Sequence, residues 1–102
     1  MSRADGWAKQ MNVKEFKKAV DKTLRPRGYF HLTDFKHPKK NTYSFKLREN
    51  NTDECVIDLI YLTALSKTFN TLDITLSAGS EYTYYDTEEY YIEVVIKLEE
   101  TK

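Results

Sequence analysis

A change of hydrophobic period at Gly28 constrains this chain more than any other feature of it. Before that point, in "MNVKEFKKAVDKTLRP", Val13, Phe16, Val20 and Leu24 recur every three or four residues and make one apolar stripe on an α-helix. Asn12 suits the N-cap, and Glu15 three residues later completes a capping box. Met11 and Phe16 have the spacing of a hydrophobic staple. Pro26 ends the helix, because proline disfavours helical geometry in the residue before it. After Gly28 the period is two.

"YFHLTDF" predicts a strand, and "KHPKKN" after it is rich in turn formers. "TYSFKLR" places Tyr43, Phe45 and Leu47 on one face and Ser44, Lys46 and Arg48 on the other. "ENNTD" reads as a turn. "ECVIDLIYL" is β-branched and more continuously apolar, which predicts a central strand covered on both faces or nearly so. In "TLDITLS" the alternation points Leu72, Ile74 and Leu76 inward, and "AGS" then turns the chain. A long final strand carries Tyr90, Ile92, Val94, Ile96 and Leu98 on one face and Tyr91, Glu93 and Lys97 on the other. The predicted fold is α+β: one amphipathic helix packed on an antiparallel meander sheet of five or six strands, with sequential strands paired. A length of 102 residues suits one core. Residues 1–11 are expected to form a flexible N-terminal arm with Trp7 as its anchor, and residues 12–102 the single domain.

Little in the chain suggests chemistry. Cys55 is the only cysteine, so an internal disulfide is excluded and a reducing, cytoplasmic setting is expected. It follows the acidic "TDE", which disfavours a thiolate and predicts an inert side chain. No run approaches the roughly 18 apolar residues that a membrane-spanning helix needs. His31 and His37 have only Asp34 near them in sequence, too few ligands for a metal site. Three glycines leave no phosphate-cradling loop, and no serine sits in a nucleophile elbow. The expectation is a protein that is not an enzyme and takes no cofactor or metal.

What remains is binding, and here the charge distribution matters. Residues 1–50 hold 13 Lys and Arg against 5 Asp and Glu, whereas residues 51–102 hold 3 against 11. The two halves either neutralise each other across the fold or present two surfaces of opposite sign. The acidic surface centres on "EYTYYDTEEYY", residues 81–91, where five tyrosines stand among four carboxylates. It reads as a strand pair turning at "DTEE". Adjacent tyrosines must diverge in a strand, so some rings belong to the sheet and others face solvent. Tyr82, Tyr84, Tyr85, Asp86, Glu88, Glu89, Tyr91 and Glu93 are the candidate protein-binding residues, suited to a protein partner with a basic surface. The alternative is a nucleic-acid-binding domain using the helix ridge and the turn after it: Lys14, Lys18, Lys22, Arg25, Arg27, Lys39 and Lys40. Tyr29, Phe30, Phe35 and Tyr43 would then stack on bases. An uncapped final strand also invites edge pairing into a homodimer. In size and composition the chain resembles the short α+β proteins of bacteria and their viruses, small phage inhibitors included.

Overall fold

The computed structural model describes residues 11–27, 31–48 and 59–98. The elements are α1 (Val13–Leu24) closed by a 3₁₀ turn (Arg25–Arg27), β1 (His31–Lys39), β2 (Thr42–Arg48), α2 (Leu59–Phe69), β3 (Ile74–Tyr82) and β4 (Glu88–Lys97). The class is α+β as expected. The counts are corrected among the described residues: two helices rather than one, and one antiparallel sheet of four strands rather than five or six. Nor is the sheet a meander. Its order is β1-β2-β4-β3, because α2 carries the chain from β2 past β4 to the far edge.

Local signals set α1. The Asn12 side chain accepts from the Glu15 N–H at 2.8 Å, and Asn12 N–H donates to the Glu15 carboxylate at 2.9 Å. Met11 packs on the core, and its backbone N–H and C=O both bond the Tyr43 hydroxyl, at 2.8 and 3.0 Å. Burial raises the Tyr43 pKa, which keeps the phenol in the protonated form that donates to Met11 O. Phe16, Val20 and Leu24 are buried; Val13, at the start of the stripe, is exposed.

The segment read as a covered central strand is corrected where it is described. Leu59–Leu62 form the first turn of α2, while residues 54–58, Cys55 among them, lie outside the described residues. The four-residue step from Leu65 to Phe69 buries one side of α2. Asn70, at φ 52°, ends the helix: Thr71 N–H donates to Ser66 O at 3.1 Å, the bond of a Schellman cap. Thr71 then ties the connection to β4 by donating to Lys97 O at 2.7 Å. Both helices cover the same sheet face, since Phe16, Val20, Leu24, Leu65 and Phe69 share one cluster with Tyr43, Phe45, Leu47, Ile92, Val94, Ile96 and Leu98. The Thr23 and Thr68 hydroxyls join the helices at 2.7 Å.

β2 sends Tyr43, Phe45 and Leu47 to the core face as predicted, although Thr42 and Ser44 are buried too, and β4 alternates as the sequence predicts. β1 does not. The strand continues through most of "KHPKKN" to Lys39, leaving Lys40 and Asn41 as the turn. A bulge between Thr33 and Lys36, with Asp34 at φ 56°, changes the parity, so Leu32 and then Phe35 pack on the core. His37 follows, with its ring stacked on Tyr43 at 4.1 Å. β3 is corrected twice. "AGS" is strand and not turn, and Leu72, expected inward, is 92% exposed before the strand begins. The final strand β4 lies inside the sheet between β2 and β3, so the edges are β1 and β3. Residues 1–10, with Trp7, lie outside the described residues, as do Tyr29 and Phe30. Among the described residues no helix is long and apolar enough to cross a membrane.

Candidate protein-binding surface on the β3–β4 ribbon

Ladder register makes the acidic tyrosine segment a ribbon. β2 pairs with β4 only as far as Leu47↔Ile92, whereas β3 and β4 continue through Gly79↔Tyr91, Ser80↔Tyr90 and Glu81↔Glu89 to Tyr82↔Glu88. The turn lies at Thr83–Thr87, earlier than "DTEE", and Glu88 and Glu89 belong to β4. Asp86 N–H donates to Thr83 O at 3.0 Å and Thr83 N–H to Thr87 O at 2.8 Å. Asp86 takes the left-handed position at φ 62°. That is a three-residue hairpin loop with a bulge, and Asp tolerates the conformation usually given to Gly or Asn. The Thr83 hydroxyl accepts from the backbone N–H groups of Tyr85 and Thr87 at 3.2 and 3.3 Å, which fixes the loop further.

The candidate residues divide between the two faces of the ribbon. On the face away from the helices, the basic and acidic halves of the sequence meet. Arg48, at the end of β2, bonds Asp34 of β1 at 3.4 Å, Glu89 of β4 at 3.3 Å and Glu81 of β3. Lys46 lies 3.5 Å from Asp34 and 3.8 Å from Glu81. Burial alone would raise the Asp34 pKa, but Lys46 and then Arg48 outweigh it and hold the carboxyl below its ordinary value. Glu81 is lowered mainly by its hydrogen bond from Arg48. Tyr91 lies beneath these cations, its ring centre 4.4 Å from Lys46 Nζ and 5.3 Å from the Arg48 guanidinium carbon. The ring also covers Gly79 across the ladder; a Cβ there would stand 2.6 Å from the Tyr91 oxygen. Glu93 faces Lys46 and Ser77 in register. Glu89, Tyr91 and Glu93 therefore sit in or beside an internally matched patch.

Tyr82, Tyr84, Tyr85, Asp86 and Glu88 remain together at the far end. Tyr84 is 95% exposed, Tyr85 83% and Tyr82 70%, and the rings of Tyr84 and Tyr85 meet edge to face at 5.3 Å. Glu88 accepts from the hydroxyls of Ser80 at 2.7 Å and Tyr90 at 3.2 Å, and those bonds do not neutralise its charge. Tyr90 shares a face with Ile92 and Val94 as predicted, yet at 41% exposure it lies at the margin of the core. Tyr91, expected on the partner-facing side, is instead half-buried beneath Lys46 and Arg48. Tyr91→Ala should cost about 1–2 kcal/mol in urea melts, through the lost cation contacts and the uncovered glycine. Tyr84→Ala and Tyr85→Ala should each stay within about 0.5 kcal/mol of the parent.

The nucleic-acid candidates are more scattered. Lys14, Lys18, Lys22 and Arg25 are exposed on α1, but Glu15 and Asp21 share that surface and Arg25 pairs with Asp21 at 2.6 Å. Lys39 and Lys40 are exposed at the β1–β2 turn, and the Arg27 side chain lies outside the described residues. Tyr43 is fully buried and Phe35 is packed between Phe16 and Phe45, so neither offers a free ring to a base. Among the described residues no group of His, Cys, Asp and Glu is arranged to hold a metal ion. Compared with family models, curated proteins and solved structures, the chain matches none of them.

Proposed function

We propose that this chain is a non-enzymatic protein-binding module whose contact point is the tip of the β3–β4 ribbon. The observation that carries the proposal is the pair of adjacent, almost fully exposed tyrosine rings, Tyr84 and Tyr85, on an ordered turn. Solvated tyrosines contribute nothing to a core, whereas at an interface they bury a large area at low entropic cost. The hydrogen-bonded turn lowers that cost further by holding the rings in place before contact. Arg48 and Lys46 engage Glu81 and Glu89, which leaves Asp86 and Glu88 to steer a basic partner toward the rings. Such a module acts by covering the basic surface that it binds, and so as an inhibitor where that surface works on nucleic acid.

The test is affinity capture with nuclease-treated lysate, comparing the parent with Tyr84→Ala/Tyr85→Ala and Asp86→Lys/Glu88→Lys. The expected result is one protein retained by the parent and lost from the tyrosine variant at unchanged melting temperature. The charge variant should associate more slowly, most clearly at low salt. Retention of the same protein by all three would refute the reading, and so would loss of the captured material on nuclease treatment.

A further inference from the structure

The two edges of the sheet are built differently. β1 carries two register irregularities, Asp34 at positive φ, and Pro38, features that spoil an edge as a template for another strand. β3 has none of these. It keeps one register with β4 from Ile74↔Ile96 to Tyr82↔Glu88, and from Ile74 to Ser80 it bears no charge and no proline. The bonds from Lys97 N–H to Asp73 O and from Thr83 N–H to Thr87 O turn the odd-numbered backbone groups toward β4. By alternation, those of Leu76, Ala78, Ser80 and Tyr82 point away from it, to a side where no strand lies among the described residues. Beside this edge, on the helix side, a groove of about 400 Å³ runs between α2 and β3, lined by Leu59, Leu62, Lys67, Leu72, Ile74 and Leu76. Among the described residues an unpaired strand edge and an apolar groove thus adjoin.

We propose that a second copy of this chain occupies both, by antiparallel two-fold pairing of β3 with β3 centred on Ala78. In that register Leu76 faces Ser80 of the other copy and Ile74 faces Tyr82, all on the helix side of the joined sheet. The exposed Tyr82 ring of each copy then lies in the leucine groove of the other. Glu88, which is Tyr82's neighbour in register, comes toward the Lys67 that lines that groove. The edge is complementary to itself because its two ends differ: Tyr82 with Glu88 beside it at one end, the leucine groove with Lys67 of α2 at the other, and a two-fold axis brings unlike ends together. Charge also selects the register. Centring on Ala78 sets Glu81 against Thr75, whereas centring on Ser77 would set Glu81 against Asp73, a repulsive pair. Tyr84, Tyr85 and Asp86 extend beyond the paired segment, so the dimer presents a tip at each end.

Sedimentation equilibrium of the full chain should give a dimer of twice the 12.1 kDa chain mass. Leu76→Lys buries an unpaired charge in the groove and should weaken the dimer about tenfold or more. Tyr84→Ala/Tyr85→Ala should leave the dimer unchanged, which separates this interface from the binding tip. Ala78→Cys in a Cys55→Ser background should form a disulfide-linked dimer on mild oxidation, because facing hydrogen-bonded residues lie about 5.5 Å apart between Cα atoms. If circular dichroism shows Leu76→Lys to be unfolded, the parent mass and the Ala78→Cys cross-link decide. A monomer at every concentration overturns the proposal, as does a dimer that folded Leu76→Lys leaves intact or that Ala78→Cys does not link.

Discussion

Phe16→Ala is expected to cost about 3–5 kcal/mol of unfolding free energy. Phe16 is fully buried and its ring meets four others: Phe35 at 5.9 Å, Tyr43 at 5.0 Å, Phe45 at 6.0 Å and Phe69 at 5.5 Å. Those rings come from β1, β2 and α2, so one side chain of α1 touches three other elements. Alanine would leave a cavity whose walls are rings held by separate elements, and such walls collapse poorly. Asn12→Ala removes the cap alone and should cost about 1 kcal/mol. Urea melts of the two variants test the pair together. Small and equal losses would mean that Phe16 is not the centre of the core.

The same helix explains why part of the fold was legible in the sequence. Its cap, staple, apolar stripe and terminating proline all lie within sixteen consecutive residues, so local rules suffice. β4 was legible for a like reason, since one face is covered and the alternation survives, and β2 was legible in its core face alone, Thr42 and Ser44 being buried on the other. The errors arise where the decisive neighbour is distant. Leu59–Leu62 form a short apolar run with no period of its own, and such a run fits a buried strand as well as a helix. The four-residue step to Leu65 and Phe69, and Asn70 as a C-cap, were the available signals for α2. Gly79 suggested a turn. Its lack of a side chain instead makes room for Tyr91 on the adjacent strand, a contact that only the register reveals. The bulge at Asp34 and the strand order likewise depend on pairing partners.

The tip of the ribbon was legible only in outline. Adjacent tyrosines beside turn formers already implied exposed rings, and Tyr84 and Tyr85 are exposed. The face of each residue in β4 was also correct, yet face did not predict burial. The ladder to β2 stops at Ile92, which leaves Tyr90 at the margin, while Lys46 and Arg48 of the basic half cover Tyr91 on the side expected to be bare. Charge segregation along the sequence is thus resolved in part within the sheet, where Arg48 bonds Glu81 and Glu89 from the acidic half. Asp86 and Glu88, which take no part in these bonds, lie at the tip.

Arg48→Met should cost about 1–2 kcal/mol at neutral pH, with the cost depending on pH in a definite direction. The Arg48 side chain is only 12% exposed and bonds three carboxylates, while those carboxylates are about half exposed, which screens the interaction. Methionine keeps the packing of the stem and removes the charge. Asp34 and Glu81 have folded pKa values below their unfolded values of about 4. A depressed carboxylate stabilises the fold fully above the unfolded pKa and stops doing so as the pH falls through the folded one. The parent should therefore lose this contribution on acidification below about pH 4. In Arg48→Met the contribution from Arg48 is already absent, and protonation instead relieves the repulsion among Asp34, Glu81 and Glu89. The stability curves of the two proteins should converge toward low pH, and added salt should narrow the gap at neutral pH. A gap that stayed constant through acidification would assign the loss to packing alone and remove the ion cluster as the element that ties β1, β2, β4 and β3 together across the open face of the sheet.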